Sequence, residues 1–198
     1  MHHRTAIECG HHPVACRKMT TQRDTASSSA RDRILDAAQN LICAQGVAGF
    51  TLDAVAQAAK VSKGGLLYHF NSKDKLISDL QCRMALRLTE KFRDADCRSE
   101  PLLLAFIRLL RHDFESGGQH FAPLLLARER QNPSWELQAS MACLIQRSGI
   151  AENKKAALLL FASLGMVLSS LARLPCTELP QIAELFDEME AIAAGISV

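Results

Sequence analysis

The chain is predicted to fold entirely from α-helices, on three observations. Apolar residues recur every three to four positions from Ile34 to beyond Phe186, the spacing of helical faces. No stretch sustains the period-two alternation of a strand. Ser or Thr precedes several apolar runs and Gly or Pro follows them, as helix caps and breakers do.

Taken in order, residues 1–28 are expected to be a disordered tail, polar and without apolar periodicity. His2, His3, His11 and His12 with Cys9 and Cys16 lack fixed ligand spacing, so no designed metal site is expected. Met19 is an alternative start, and Arg17, Lys18 and Arg23 can act as a basic arm. Folding begins near Ser29, which has capping-box spacing to Asp32. Ile34, Leu35, Ala38, Leu41 and Ile42 form one stripe, closed by Gly46. Thr51 caps a short helix carrying Leu52, Val55, Ala56 and Ala59 on one face. Lys60 and Val61 make a turn, Ser62 caps a helix over 63–69, and Ser72 caps another opening at Lys73.

Three capped starts within residues 51–72 are more than a plain helix pair needs. Helix N-termini present free N–H groups and a positive dipole end, which bind anions such as phosphate. Charge agrees. Residues 60–75 hold Lys60, Lys63, Lys73 and Lys75 against Asp74, a local +3, whereas residues 101–198 hold eight basic and ten acidic side chains, a local −2. The pattern is a helix-turn-helix with a phosphate-binding face on a near-neutral body.

Beyond it, a helix over 73–95 carries Leu76, Ile77, Leu80, Met84, Leu88 and Phe92, and so links this module to the rest of the chain. Pro101 opens the next helix, which Gly117 and Gly118 end. Further helices are expected at 120–130, 134–147, 151–173 and 178–194, punctuated by Pro133, Gly149 and Pro175.

Composition removes several function classes. The 198 residues suffice for one large domain or two small ones. Seven scattered cysteines without a CxxC pair are expected as reduced thiols, a redox-sensing pair being the alternative. The first 30 residues lack the apolar core of a secretion signal. The uncharged run 156–172 touches membrane-span length, but Ser163, Gly165, Ser169 and Ser170 lower its hydropathy. It is expected as a helix buried within or between subunits, with no membrane partner. No glycine-rich phosphate loop, His-x-x-x-His pair or nucleophile elbow is present, and no spacing pairs Cys143 with His112 or His120. No enzyme and no cofactor are expected.

Residues 31–76, ending in VSKGGLLYHFNSKDKL, resemble the DNA-binding domain of the TetR family of one-component transcriptional regulators. The resemblance implies a helix-turn-helix DNA-binding domain over 29–75 and an all-helical effector-binding and dimerisation domain over 76–198. It also implies a cytoplasmic homodimer on a palindromic operator of double-stranded DNA, most simply a repressor released by a small-molecule effector. The alternative is a protein antagonist on the same fold that no longer binds DNA. Thr51 can offer hydroxyl and N–H to phosphate, with Ser62 capping the recognition helix. Lys63 reaches a phosphate or a guanine edge. Gly64 and Gly65 let the backbone approach, and Tyr68, His69 and Lys73 face phosphate. Packing for Tyr68 and capping for His69 are the alternatives, whereas Leu66 and Phe70 face the core. Gly65 and Leu67 depart from the commonest pattern, so fewer direct base contacts are expected, with Leu67 on a thymine methyl.

Phe106, Leu110, Phe121, Leu125, Trp135, Met141, Phe161 and Met166 are the candidate lining of an effector pocket, with His112, Gln119, His120 and Arg128 as orienting groups. Plain core is the alternative for each. Few interior charges favour an apolar or weakly polar effector. Ala162, Gly165, Ser169 and Ala172 give the 151–173 helix a small-residue face for a dimer contact.

Overall fold

The structure, a computed structural model, describes residues 29–128 and 134–196. The tail assigned to 1–28, with its basic residues and its His and Cys side chains, lies outside them. All the regular structure described is helical. The eight α-helices are α1 (Ala30–Gln45), α2 (Leu52–Ala58), α3 (Lys63–His69), α4 (Lys73–Cys97), α5 (Leu102–Glu115), α6 (Trp135–Arg147), α7 (Lys154–Leu171) and α8 (Ile182–Ala194). Two 3₁₀ helices, Ala122–Arg128 and Pro175–Glu178, sit in the connections.

The helix starts follow local chemistry. Ser29, Thr51, Ser62 and Ser72 accept from the N–H groups of Asp32, Ala54, Gly65 and Lys75 at 3.2, 3.2, 3.0 and 3.1 Å. At α1 the reciprocal bond runs between side chains, with the Ser29 hydroxyl donating to Asp32 Oδ2 at 2.7 Å. Five helices end in Schellman motifs. After α2, for example, Val61 N–H bonds Ala56 O at 3.0 Å and Lys60 N–H bonds Gln57 O at 3.1 Å. The residues forced to positive φ there are Lys60, Ser99, Gly117, Gly149 and Arg173, only two of them glycine.

Four expectations for the helices are corrected. Where a helix over 120–130 is expected, Ala122–Arg128 form a 3₁₀ turn, because Pro123 lacks a backbone donor and Leu124 N–H closes onto Phe121 O at 2.9 Å. The helix placed at 178–194 starts at Ile182, since Pro180 interrupts the backbone bonding. That at 151–173 starts at Lys154, where Asn153 Oδ1 accepts from Lys155 N and Ala156 N at 2.9 and 3.3 Å. Pro101 is the N-cap of α5 rather than its first helical residue.

α4 is the spine, packing on α1 at one end and on α5 and α6 beyond. Asp79, almost buried on α4, binds Arg31 of α1 at 3.0 Å and Lys75 at 2.8 Å, fixing the N-terminal module to the spine. Phe92, Phe106 and Phe121 stack in the centre of the larger helical body, with centroids 6.4 and 6.1 Å apart. α7 and α8 pack on α5 and on each other. α7 is long and apolar enough to cross a membrane, with mean hydropathy 1.5.

Candidate functional site

α2 and α3 are short, and each buries little: Val55 and Ala56 on one, Leu66 on the other. Leu66 and Phe70 are fully buried, which sets α3 on the core and turns its opposite face outward. That face carries Lys63, Gly64, Leu67 and Tyr68, and Tyr68 is 85% exposed. At that exposure Tyr68 is not packed into the core of the described residues; its ring meets the His69 ring edge-on at 5.1 Å. Lys63 Nζ lies 2.9 Å from Asp53 of α2 in an exposed pair, which phosphate can replace at little cost. Lys73 Nζ lies 5.6 Å over the Phe50 ring, so its stem is held by the fold while its charge flanks the Ser72 cap.

Two residues differ from expectation in detail. The Thr51 N–H donates to Gly49 O at 3.1 Å, which leaves the hydroxyl for phosphate and not the amide. Gly64 has open space where a Cβ would stand, as close backbone approach needs, but a Cβ on Gly65 would sit 3.2 Å from Ser62 Oγ. Gly65 thus serves the cap as well as the surface. Lys75 is spent on Asp79.

The pocket residues scatter. A cleft of about 330 Å³ opens between α4, α5 and the turn after α5, lined by Met84, Arg87, Leu88, Leu109, His112, His120 and Phe121, with Glu90, Lys91 and Asp94 at its rim. Of the expected residues it contains Phe121, His112 and His120. Phe106 and Leu110 are fully buried core, and Leu125, Met141 and Met166 pack half-buried against it. Trp135 and Phe161 are 56% and 71% exposed, on faces that no helix among the described residues covers, and lie outside this cleft. The Arg128 side chain lies outside the described residues. The charged rim also corrects the expectation of few charges, because α4 presents its polar stripe to the cleft.

Sequence reasoning missed Asp113. It is fully buried and accepts from His120 N–H, His120 Nδ1 and Phe121 N–H at 2.8, 2.7 and 3.1 Å. Those bonds shape the turn forming the cleft wall, and Gln119 O of that turn accepts from Gln39 Nε2 of α1 at 3.1 Å. A single acid between Leu110 and Phe114 on an apolar helix was the signal available. Arg173, after α7, donates to Cys43 O and Ala44 O in the last turn of α1 at 3.2 and 2.8 Å. Among the described residues, polar contacts at Asp79, Arg83, Gln119 and Arg173 thus tie the N-terminal module to the rest.

Along α7, Leu158, Phe161, Ala162, Gly165, Ser169 and Ala172 fall on one stripe, with Leu158 69% exposed and Phe161 as above. On α8, Leu185 and Ile192 are also exposed. Among the described residues, no group of three or more His, Cys, Asp or Glu side chains is placed to hold a metal ion.

Residues 34–80 match the family model of bacterial regulatory proteins, tetR family. Two relatives from Pseudomonas putida are each 45% identical over 53 residues: the HTH-type transcriptional regulator SrpR, and the uncharacterized HTH-type transcriptional regulator TtgW. That stretch is 26% of this chain and spans only 25% and 40% of the two relatives. Solved structures align over more of it. A member of the TetR family from Streptomyces coelicolor A3 gives a TM-score of 0.59 at 23% identity, over 85% of this chain and 100% of that one. The multidrug binding protein EbrR complexed with malachite green gives 0.54 at 22%, over 85% and 100%. Salmonella enterica GusR gives 0.53 at 19%, over 88% and 100%. At these identities the likeness is one of fold. The chain carries, in residues 34–80, the N-terminal helix-turn-helix module of the bacterial tetR family of regulatory proteins.

Proposed function

We propose that this protein is a DNA-binding transcriptional regulator, acting as a cytoplasmic homodimer on a palindromic operator and, as a repressor, released by a small-molecule effector. The observation that carries the reading is the outward face of α3. Lys63, Gly64, Leu67 and Tyr68 are exposed there, and three capped helix starts surround them. Phosphate contacts from Thr51, Lys63, Tyr68, His69 and Lys73 would fix the register, and Leu67 would contact a thymine methyl.

The uncovered stripe of α7 with α8 supports a dimer, since large exposed apolar residues interleaved with small ones suit close helix packing. Two copies would set their recognition helices about 34–36 Å apart, one DNA turn. The cleft supports an effector, and EbrR, which shares the fold, is described in complexes with malachite green and ethidium. An effector there would press on Phe121 and the 119–121 turn, whose contact to Gln39 reaches α1. Losing about 3 kcal/mol of DNA binding through a shift in helix spacing would lower affinity roughly 150-fold.

Sedimentation velocity of the parent beside Phe161→Glu tests the assembly. The expected result is a dimeric parent and a folded monomeric variant with at least about tenfold weaker binding to a palindromic duplex. A variant that stays dimeric and keeps that affinity would remove this α7 face from the dimer.

A further inference from the structure

The effector cleft does not end at its apolar floor. Arg87 and His120 line it and also line a second, polar hollow of about 260 Å³, shared with Asp36, Gln39, Asn40 and Gln119. Arg87 stands where the two meet. Its Nη1 is buried and has no hydrogen-bond partner, an arrangement that ordinarily costs more for a charged group than for a neutral one.

The carboxylates around it are committed or outlying. Asp36 is bound to Arg83 at 2.7 Å, and Asp113 is filled by His120 and Phe121. Glu90 is on the exposed side of α4. Burial and the neighbouring Arg83 push the Arg87 guanidinium below its ordinary pKa, opposed by Asp36, Asp113 and Glu90. The site holds a cation short of negative charge at the end of an apolar trough formed by Met84, Leu88, Leu109 and Phe121. His120 uses Nδ1 on Asp113, which leaves Nε2 for a second bond. A planar carboxylate matches the guanidinium fork in a way that a hydroxyl or an ammonium does not.

We propose that the effector is a small organic monocarboxylate whose one- or two-ring apolar body lies in the trough and whose carboxylate accepts from Arg87 at the mouth of the polar hollow. This rests on the effector reading above. Glu90 and Asp94 at the rim, offset by the single Lys91 there, leave it net negative and disfavour a second negative charge.

The test is titration of the full chain with three probes of one apolar body: 1-naphthoate, 1-naphthalenemethanol and 1-naphthylmethylammonium. Naphthoate should bind at least about tenfold tighter than the other two. In Arg87→Met, naphthoate should fall to within about threefold of the alcohol, whose own affinity stays unchanged. Arg87→Lys should keep part of the preference. If Arg87→Met fails to melt cooperatively, the parent's charge series decides alone. An alcohol or ammonium bound as tightly as naphthoate, no naphthoate binding up to about 1 mM, or a preference retained in Arg87→Met overturns the proposal. Operator release measured with the same probes separates the two readings. Release by the alcohol or ammonium but not by naphthoate sinks the carboxylate and keeps the effector, whereas a chain that never binds operator sinks both.

Discussion

Gly117 and Gly118 shape the turn behind the cleft, and replacing each by alanine separates two costs that share one position in the fold. Both have positive φ, +88° and +78°. A Cβ on Gly117 meets nothing within 4 Å, so Gly117→Ala carries only backbone strain, about 1–2 kcal/mol. A Cβ on Gly118 would lie 2.7 Å from Leu171 Cδ2 and 3.1 Å from Leu171 Cγ, on α7. Overpacking adds about 1–3 kcal/mol, giving roughly 2–5 kcal/mol in all. Leu171 is buried near the end of α7, so little room exists for it to yield. Urea denaturation at constant slope reads the difference. In thermal melts the shifts should be about 2–8 °C for Gly117→Ala and about 4–20 °C for Gly118→Ala. A Gly118→Ala protein no less stable than Gly117→Ala would refute the close approach of this turn to α7.

Other outcomes follow from single sites. Lys60→Gly relieves a left-handed residue at the end of α2 and should raise stability by about 1 kcal/mol in the same denaturation assay. Burial first, then Asp113, push the Cys43 thiol above its ordinary range against the pull of Arg173, while Cys97 and Cys176 are exposed. Iodoacetamide at about pH 8 should therefore label the exposed Cys97 and Cys176 well before Cys43 by peptide mapping, because the thiolate is the nucleophile and burial disfavours it at Cys43. Leu67→Ala should shift the preferred operator at one A·T position with overall affinity falling by about tenfold or less; an unchanged preference would count against a thymine-methyl contact.

What the sequence disclosed was local chemistry. Ser62 and Ser72 cap because a hydroxyl reaches an amide three residues on, whatever the rest of the chain does. Leu66 and Phe70 read as core residues from the sequence, whereas for Tyr68 packing stayed open until its 85% exposure placed it on the outward face of α3. The cleft was not legible in the sequence. Periodicity says that Phe106 and Phe161 are apolar stripe residues, and it cannot say that one is core while the other faces outward on a single protomer. Nor can it show that Arg87 and Lys91, on the polar stripe of α4, line a cleft, since that depends on how the turn after α5 folds back over α4. Asp113 and Arg173 act on backbone atoms distant in sequence or around a turn, and residue type alone does not register such bonds.

The proposed regulation requires α3 to meet DNA. The most direct measurement is selection from random duplex DNA at about 150 mM salt, with Tyr68→Ala as the paired control. Tyr68 is so exposed that its removal leaves the core untouched, and loss of binding then reports a lost contact. A palindromic site should be enriched by the parent, with much weaker or no enrichment by the equally stable variant. A folded parent that enriches no sequence would contradict the DNA-binding role and turn the search toward protein partners of the same surface.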